Sequence, residues 1–331
     1  MTWFNQLMGI DEQTPDQVRA AIDVAGSRMR SRVTDRELSC GYLEILSLAD
    51  LRSRIAESRV AEGRLQITEI IADVQSLHKD AQNAGALFQV ASQFNLLEMV
   101  SPSRTPEHGI GIYENDHTQG PACAIAAGAG TIFRNYFVPV NGRIGQSADN
   151  QIDCLSDIGA ALGNDNGRLW AMRNGYALPS TAGLQEIYER LRAMSDSDRD
   201  ALGQNLRIGV HRDTQVTLAQ CQHTVSQAYC SALPVAYCSH RTQLWEPFAR
   251  LILDAAYEAT FCAAILNSLR TGNRRVFVTL LGGGAFGNES DWIFAALERS
   301  LIRFASVNLD LAIVSRGASN SRVRKLAERS R

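Results

Sequence analysis

Apolar residues recur along this 331-residue chain with two periods, one helical and one alternating, and the switch between them marks out its elements. Val18, Ala21, Ile22 and Ala25 fall at helical spacing. Thr14-Pro15-Asp16 just ahead of them is a helix start, a threonine cap with proline in the first turn. A second helix, Ser47 to Ile55, is opened by its own serine, so residues 14–62 are expected to be helical. From Arg64 the period shortens. Leu65-Gln66-Ile67-Thr68-Glu69-Ile70 alternates as a strand, and Ala86 to Ala91 is the continuous apolar run of a strand covered on both faces. Residues 120–130 are rich in glycine and alanine, and the aromatic run Thr131–Val138 fits a strand or a helix. The polar stretch 142–205 holds one amphipathic helix at Gly183–Met194, and Ile208–His211 and Val225–Cys238 are strand-like.

The C-terminal third has the strongest pattern. Trp245 to Leu269 carries Phe248, Ile252, Ala255, Ala256, Ala259 and Ala263 on one stripe and stops at Arg270-Thr271-Gly272-Asn273. A buried strand (Arg275–Leu281), a helix (Ser290–Ala305) and a last strand (Leu309–Val314) follow. This order predicts layered α/β structure with parallel strands. The basic tail beyond Arg316 is expected to fray. The expected organisation is a helical N-terminal extension over 1–62, a main domain over 63–318 with an insertion at about 142–235, and a basic tail over 319–331.

At 45% hydrophobic residues the chain can bury a full core. A formal charge of −2 supplies no field for nucleic acid. No apolar run is long enough to span a membrane, and the polar start lacks a basic-then-apolar signal. The seven cysteines are scattered without ligand spacing, so no metal site is expected and the thiols are expected to be reduced. The expected location is the cytoplasm, or a host cell if the chain is a secreted effector.

Leu281-Gly282-Gly283-Gly284-Ala285-Phe286-Gly287-Asn288-Glu289 lies between a buried strand and a helix, at the edge where open α/β sheets bind ligands. Glycines there let backbone N–H groups approach a phosphate, and the following helix start adds partial positive charge. No Lys-Ser/Thr follows, which disfavours a Walker loop, and the spacing does not fit the dinucleotide fingerprint. A tight turn with glycines for geometry alone is the competing explanation.

The run from the long helix through VFVTLLGGGAFGNES to LDLAIVSR resembles the C-terminal half of macrodomains. There, a strand ending in Gly-x-Gly-x-Phe-Gly wraps the diphosphate and distal ribose of ADP-ribose. Gly282, Gly284, Phe286 and Gly287 match that pattern, with Gly283 between them and Ala285 and Asn288 alongside. Asp73 stands where the family holds the adenine amino group. Val90 to Asn95 stands at its Asn-Ala-Ala-Asn stretch, and Gly120-Pro121-Ala122 with Gly128 and Gly130 near its first glycine loop. Gln93 and Asn95 replace the asparagine pair, and the Gly-Gly-Gly-Val loop is absent.

The resemblance implies a macrodomain-like three-layer sandwich, close to bacterial effector-type hydrolases that free ADP-ribose from arginine. Its partner would be ADP-ribose or an ADP-ribosylated protein, including the target of a cognate ADP-ribosyltransferase. No cofactor, nucleic acid or membrane is implied. The alternative is a non-catalytic reader of ADP-ribose or a related nucleotide. Cleavage at C1 of the distal ribose needs a carboxylate to place water. Candidates are Glu98 with Asn95, Asp116 beside Glu114, and Glu289 after the glycine loop. Glu98 and Asn95 fit equally a surface turn and a helix cap, and Glu289 a first-turn acid. Asp149, Asn150 and Asp153 fit turn roles better, and His211, His223, His240 and Cys230 structural ones.

Overall fold

In a computed structural model, which describes residues 1–329, a seven-stranded sheet is covered by helices on both faces. The strands are β1 (Ile22–Ala25), β2 (Arg28–Ser31), β3 (Glu37–Ser39), β4 (Tyr42–Ser47), β5 (Gln66–Ile71), β6 (Leu87–Ala91) and β7 (Pro139–Val140). They continue with β8 (Arg143–Ile144), β9 (Trp170–Arg173), β10 (Tyr176–Pro179), β11 (Arg207–Gln215), β12 (Thr224–Cys230), β13 (Arg275–Val278) and β14 (Asp310–Ser315). The central sheet has the order β4-β11-β12-β6-β13-β14-β5. From β12 to β5 every pairing is parallel, whereas β11 runs antiparallel to both β12 and β4. The parallel strands expected from the C-terminal pattern, β13 and β14, do pair in parallel, and only the edge at β11 and β4 is antiparallel.

Successive side chains of a strand face opposite sides, and here each side meets its own helices. The helices are α1 (Trp3–Met8), α2 (Pro15–Ala21), α3 (Leu48–Ala56), α4 (Val74–Lys79), α5 (Gln119–Ala126) and α6 (Gly128–Ile132). After them come α7 (Ser156–Ala161), α8 (Thr181–Ala193), α9 (Asp196–Gly203), α10 (Thr242–Thr271), α11 (Ser290–Arg303) and α12 (Ser321–Arg329). Gln89 of β6 donates to Thr260 of α10, while its neighbour Phe88 stacks on His78 of α4 at 3.8 Å and on Phe277 at 4.4 Å. Such ring pairs add about 0.5–1.5 kcal/mol beyond the area they bury. Burial pushes the His78 pKa down to about 4, so this ring packs as a neutral group. On the α10 face, buried Glu258 accepts from Arg52 of α3 (2.6 Å) and from Arg299 and Arg303 of α11 (3.0 Å each), tying three helices together.

Between Ile22 and Ser47 the expectation of helices is corrected. The helical pattern holds for α2 and α3, but β1 to β3 form a small antiparallel sheet and β4 joins the central one. Gly26, in the left-handed region at φ 58°, turns β1 back onto β2, and alternating Met29 and Ser31 face inward. Within the expected insertion, β11 and β12 belong to the central sheet. The run Thr131–Phe137 is helical, ending in a wide π turn at Phe133–Phe137, and Val138 is extended. The tail does not fray through residues 321–329. It forms α12, whose buried Val323 and Leu326 lie at i, i+3 spacing. Residues 330 and 331 of the expected tail lie outside the described residues. Among the described residues no helix is long and apolar enough to cross a membrane.

Candidate active site

Strands β12, β6, β13, β14 and β5 all run the same way, so their C-terminal ends share one edge of the sheet. The glycine loop leaves β13 there. Gly282 has φ +77°, and a Cβ on it would stand 2.5 Å from the Ala232 Cβ. Conformation and space both demand glycine at that position. Backbone bonds from Gly287 to Gly284 (3.0 Å) and from Asn288 to Gly282 (2.9 Å) close the loop. The Asn288 side chain donates to the Leu233 carbonyl (2.8 Å), and its Oδ1 is buried without a partner among the described residues. Phe286 anchors the loop against Tyr176 and Tyr237, with ring centroids 5.4 and 5.6 Å away. Gly284 is different. Its φ is not positive, it is exposed, and a Cβ added to it would meet nothing within 4 Å. The fold therefore places no demand for glycine there.

Two adjoining cavities, of about 500 and about 290 Å³, open along this edge and share Thr118, Gln119, Thr279, Leu280, Gly284 and Arg316. The larger holds Asp73, Ala122, Gly283 and Asn288. The smaller holds Gln93, Glu98, Asp116, Gly120, Gly282, Ala285 and Phe286. The cleft exists because β6 and β13 pair only at Leu87 and Phe88 and then part. Beyond that point the Gln119 side chain takes over the backbone of β6, accepting from Ala91 N (2.8 Å) and donating to Gln89 O (2.7 Å).

Glu98 is 2% exposed, and its Oε1 has no hydrogen-bond partner among the described residues. It is held by a constrained segment. Asn95 accepts from Leu97 N (3.1 Å), and Leu96 adopts a left-handed conformation (φ 63°). Such strain costs about 1–3 kcal/mol and persists only where neighbours enforce it. Here Arg134, itself fully buried, donates to the Leu96 carbonyl (3.1 Å) and lies over the Tyr229 ring at 3.7 Å. Arg134 also donates to His211 Nδ1 (3.1 Å). The other His211 nitrogen lies 2.7 Å from the Cys40 carbonyl and must donate, which fixes the tautomer. Burial pushes the His211 pKa down to about 3, leaving the ring neutral.

Burial likewise raises the Glu98 pKa well above the ordinary 4.5, against the pull of Arg134 and the Ser92 hydroxyl and with the help of Asp116. Glu98 is thus a carboxylic acid that keeps its proton where an exposed one would not. Its Oε2 presses on the first turn of α5, where a Cβ at Gly120 would sit 2.3 Å away and 2.1 Å from the Ala91 carbonyl. Asp116, half-exposed, faces the same cavity and accepts from Thr118 N (2.9 Å). The pair offers a dry proton donor and a wetted acid in one pocket.

Glu98 is accordingly no surface turn, and it meets Asp116, Gln93 and Gly120 as the linear pattern allowed. The other two proposed catalytic groups stay apart from it. Asn95 is fully buried and spends its amide on Gln151 (2.8 Å), lining neither cavity. Glu289 is exposed at the start of α11 and lines neither cavity. Asp73 lines the larger cavity while capping α4 through Gln75 N (2.8 Å) and Ser76 N (3.3 Å). The expected first glycine loop is corrected: Gly120 is in α5, and Gly128 and Gly130 are in α6, where they let Trp3 and His211 approach. Asp149, Asn150 and Asp153 line a separate depression. Cys230 is buried against Thr260, its thiol pushed up to about 12. Gln119, Arg134, Tyr176 and Arg316 went unsingled by the linear pattern, since each acts through partners remote in the chain.

Among the described residues no group of three or more His, Cys, Asp or Glu side chains is placed to hold a metal ion. No protein-family model matches the sequence, and no curated protein matches it. In fold the chain is similar to a poly(ADP-ribose) glycohydrolase from Thermomonospora curvata, at 12% identity, a TM-score of 0.48 and 99% coverage of each chain. It is also similar to a poly(ADP-ribose) glycohydrolase from Deinococcus radiodurans in complex with ADP-ribose. There the identity is 9% and the TM-score 0.44, over 87% of this chain and 92% of that one. Likenesses this loose carry no argument about chemistry, which has to come from the site's own residues.

Proposed function

We propose that the chain is a hydrolase that releases ADP-ribose from modified protein. The observation that carries this reading is the pairing of two cavities across Gly284. ADP-ribose has the same plan: a nucleoside and a ribose joined through a diphosphate. The adenosine would fill the larger cavity beside Asp73 and Asn288, and the diphosphate would cross at the glycine loop. The distal ribose would then lie in the smaller cavity beside Glu98 and Asp116. Gly284 supports this placement, because its missing Cβ serves no internal need and leaves the backbone open to a ligand.

Breaking the bond at C1 builds oxocarbenium character, with water entering and a leaving group departing. Glu98, proton-bearing in a dry pocket, suits the acid that assists departure. Asp116, facing solvent and the same cavity, suits the group that places the water. Binding energy from the adenosine half would position the reacting carbon. Arginine-linked ADP-ribose is the favoured substrate, by the resemblance of the glycine-loop region to effector-type macrodomain hydrolases.

The test is release of free ADP-ribose from arginine-modified protein, followed by chromatography, alongside calorimetric titration with ADP-ribose. Turnover that disappears in both Glu98→Gln and Asp116→Asn fits the proposal. Tight binding without turnover would make the chain a reader, and absence of binding would remove ADP-ribose altogether.

A further inference from the structure

Arg316 follows β14 directly, and its guanidinium donates to the carbonyl of His117, just ahead of α5. In the sheet, β13 lies between β14 and β6, and the start of α5 is tied to β6 through Gln119. The arginine side chain therefore runs from the end of β14 toward the start of α5, past the end of β13. That end is where the glycine loop begins. Arg316 is accordingly one of the six residues common to both cavities.

The charge around it is lopsided. Among the described residues Arg316 is the one lysine or arginine lining either cavity, against Asp73, Glu98 and Asp116. Of these, Asp73 is spent capping α4, and Glu98 is kept protonated by burial. Loop amides can orient an anion, and a full positive charge in a cleft of this composition adds to the hold on two phosphate charges, which arginine offers as a planar fork. The side chain is exposed and tied to the cleft rim through a carbonyl rather than a carboxylate. A carbonyl is a weaker partner for guanidinium than a phosphate oxygen, so an entering anion can take the fork over.

We infer that Arg316 is a diphosphate clamp, a strap laid across the cleft that exchanges the His117 carbonyl for the pyrophosphate of the ligand. The inference rests on the proposed ADP-ribose reading for the identity of the ligand, but its chemistry requires only a pyrophosphate group. It makes Arg316 a binding and positioning residue that discriminates nucleoside diphosphates from nucleosides.

The experiment compares wild type, Arg316→Ala and Arg316→Lys by calorimetry with ADP-ribose, adenosine and inorganic pyrophosphate, with thermal melts confirming that each variant folds. The expected result for Arg316→Ala is a loss of about 10- to 100-fold in ADP-ribose and pyrophosphate affinity with adenosine unchanged. Arg316→Lys should recover part of the loss, since it keeps the charge without the fork. Equal ADP-ribose affinity in wild type and Arg316→Ala, or an equal loss for adenosine, would overturn the clamp. Arg316-dependent binding of pyrophosphate by a protein that ignores ADP-ribose would keep the clamp and sink the ADP-ribose reading.

Discussion

The two walls of the cleft are built in opposite ways. One is the glycine loop, seven consecutive residues from Gly282 to Asn288 whose turn is closed by its own backbone bonds. The other gathers Glu98, Asp116 and Gly120 around a carboxyl whose backbone segment is fixed by buried Arg134 through the left-handed Leu96, all distant in the chain or locally strained. A wall made of neighbours is stable by local geometry and presents backbone. A wall made of distant parts can be dry, and dryness is what lets a carboxyl keep its proton.

The sharpest way to break this contrast is at Glu98. Glu98→Gln is close to isosteric with the protonated acid, so it should fold while ADP-ribose release falls about 10²- to 10⁴-fold. Its melts should also shift with pH in a fixed direction. Glu98 binds its proton more tightly folded than unfolded, so its contribution is fully present below the ordinary 4.5 and is lost as pH rises through the raised folded value. Relative to the glutamine variant, wild type should lose up to about 1.4 kcal/mol per pH unit across that window, measured by denaturant unfolding. A pH-independent difference would show that Glu98 is ionised in the native protein.

Glycine substitutions probe each wall next. Gly120→Ala drives a methyl into the Ala91 carbonyl and Glu98, and Gly282→Ala strains a left-handed turn against Ala232. Each should cost about 1–3 kcal/mol of stability. Gly284→Ala should leave the melting temperature unchanged or slightly raised and weaken ADP-ribose about tenfold, because its methyl meets ligand alone. If Gly284→Ala binds as wild type does, the loop is a turn and nothing more. The smallest effect belongs to Glu289→Ala, where exposure outside both cavities predicts rates within about twofold of wild type.

The same contrast explains what could be read from the linear chain. The glycine loop, β6, β13, β14, α10 and α11 were legible because each is a local pattern, a buried run or a helical stripe ended by glycine. Glu98 and Asp116 could be named as acids near a sheet edge, but nothing in their neighbours told that one is dry. That depends on Arg134 and on Gly120, brought in by helices on the far side of β6. Residues 22–47 read as helix because Val18 to Ala25 keeps helical spacing across the true boundary at Ile22. Only pairing with β11, more than 150 residues on, selects a strand for Tyr42–Ser47. Arg316 was invisible for a similar reason, since its partner is a carbonyl at residue 117.

The position of β6 in the sheet has a consequence for how the chain is made. Its flanking partners are β12 and β13, emitted at residues 224–230 and 275–278, while β6 itself ends at Ala91. A ribosome that has produced the first 220 residues has therefore exposed an apolar strand with neither edge satisfied, and must hold it out of aggregation. Closure of the candidate pocket is thus a late event of synthesis. Fragments that stop short of residue 275 should be insoluble rather than merely inactive, since they carry that open edge with them.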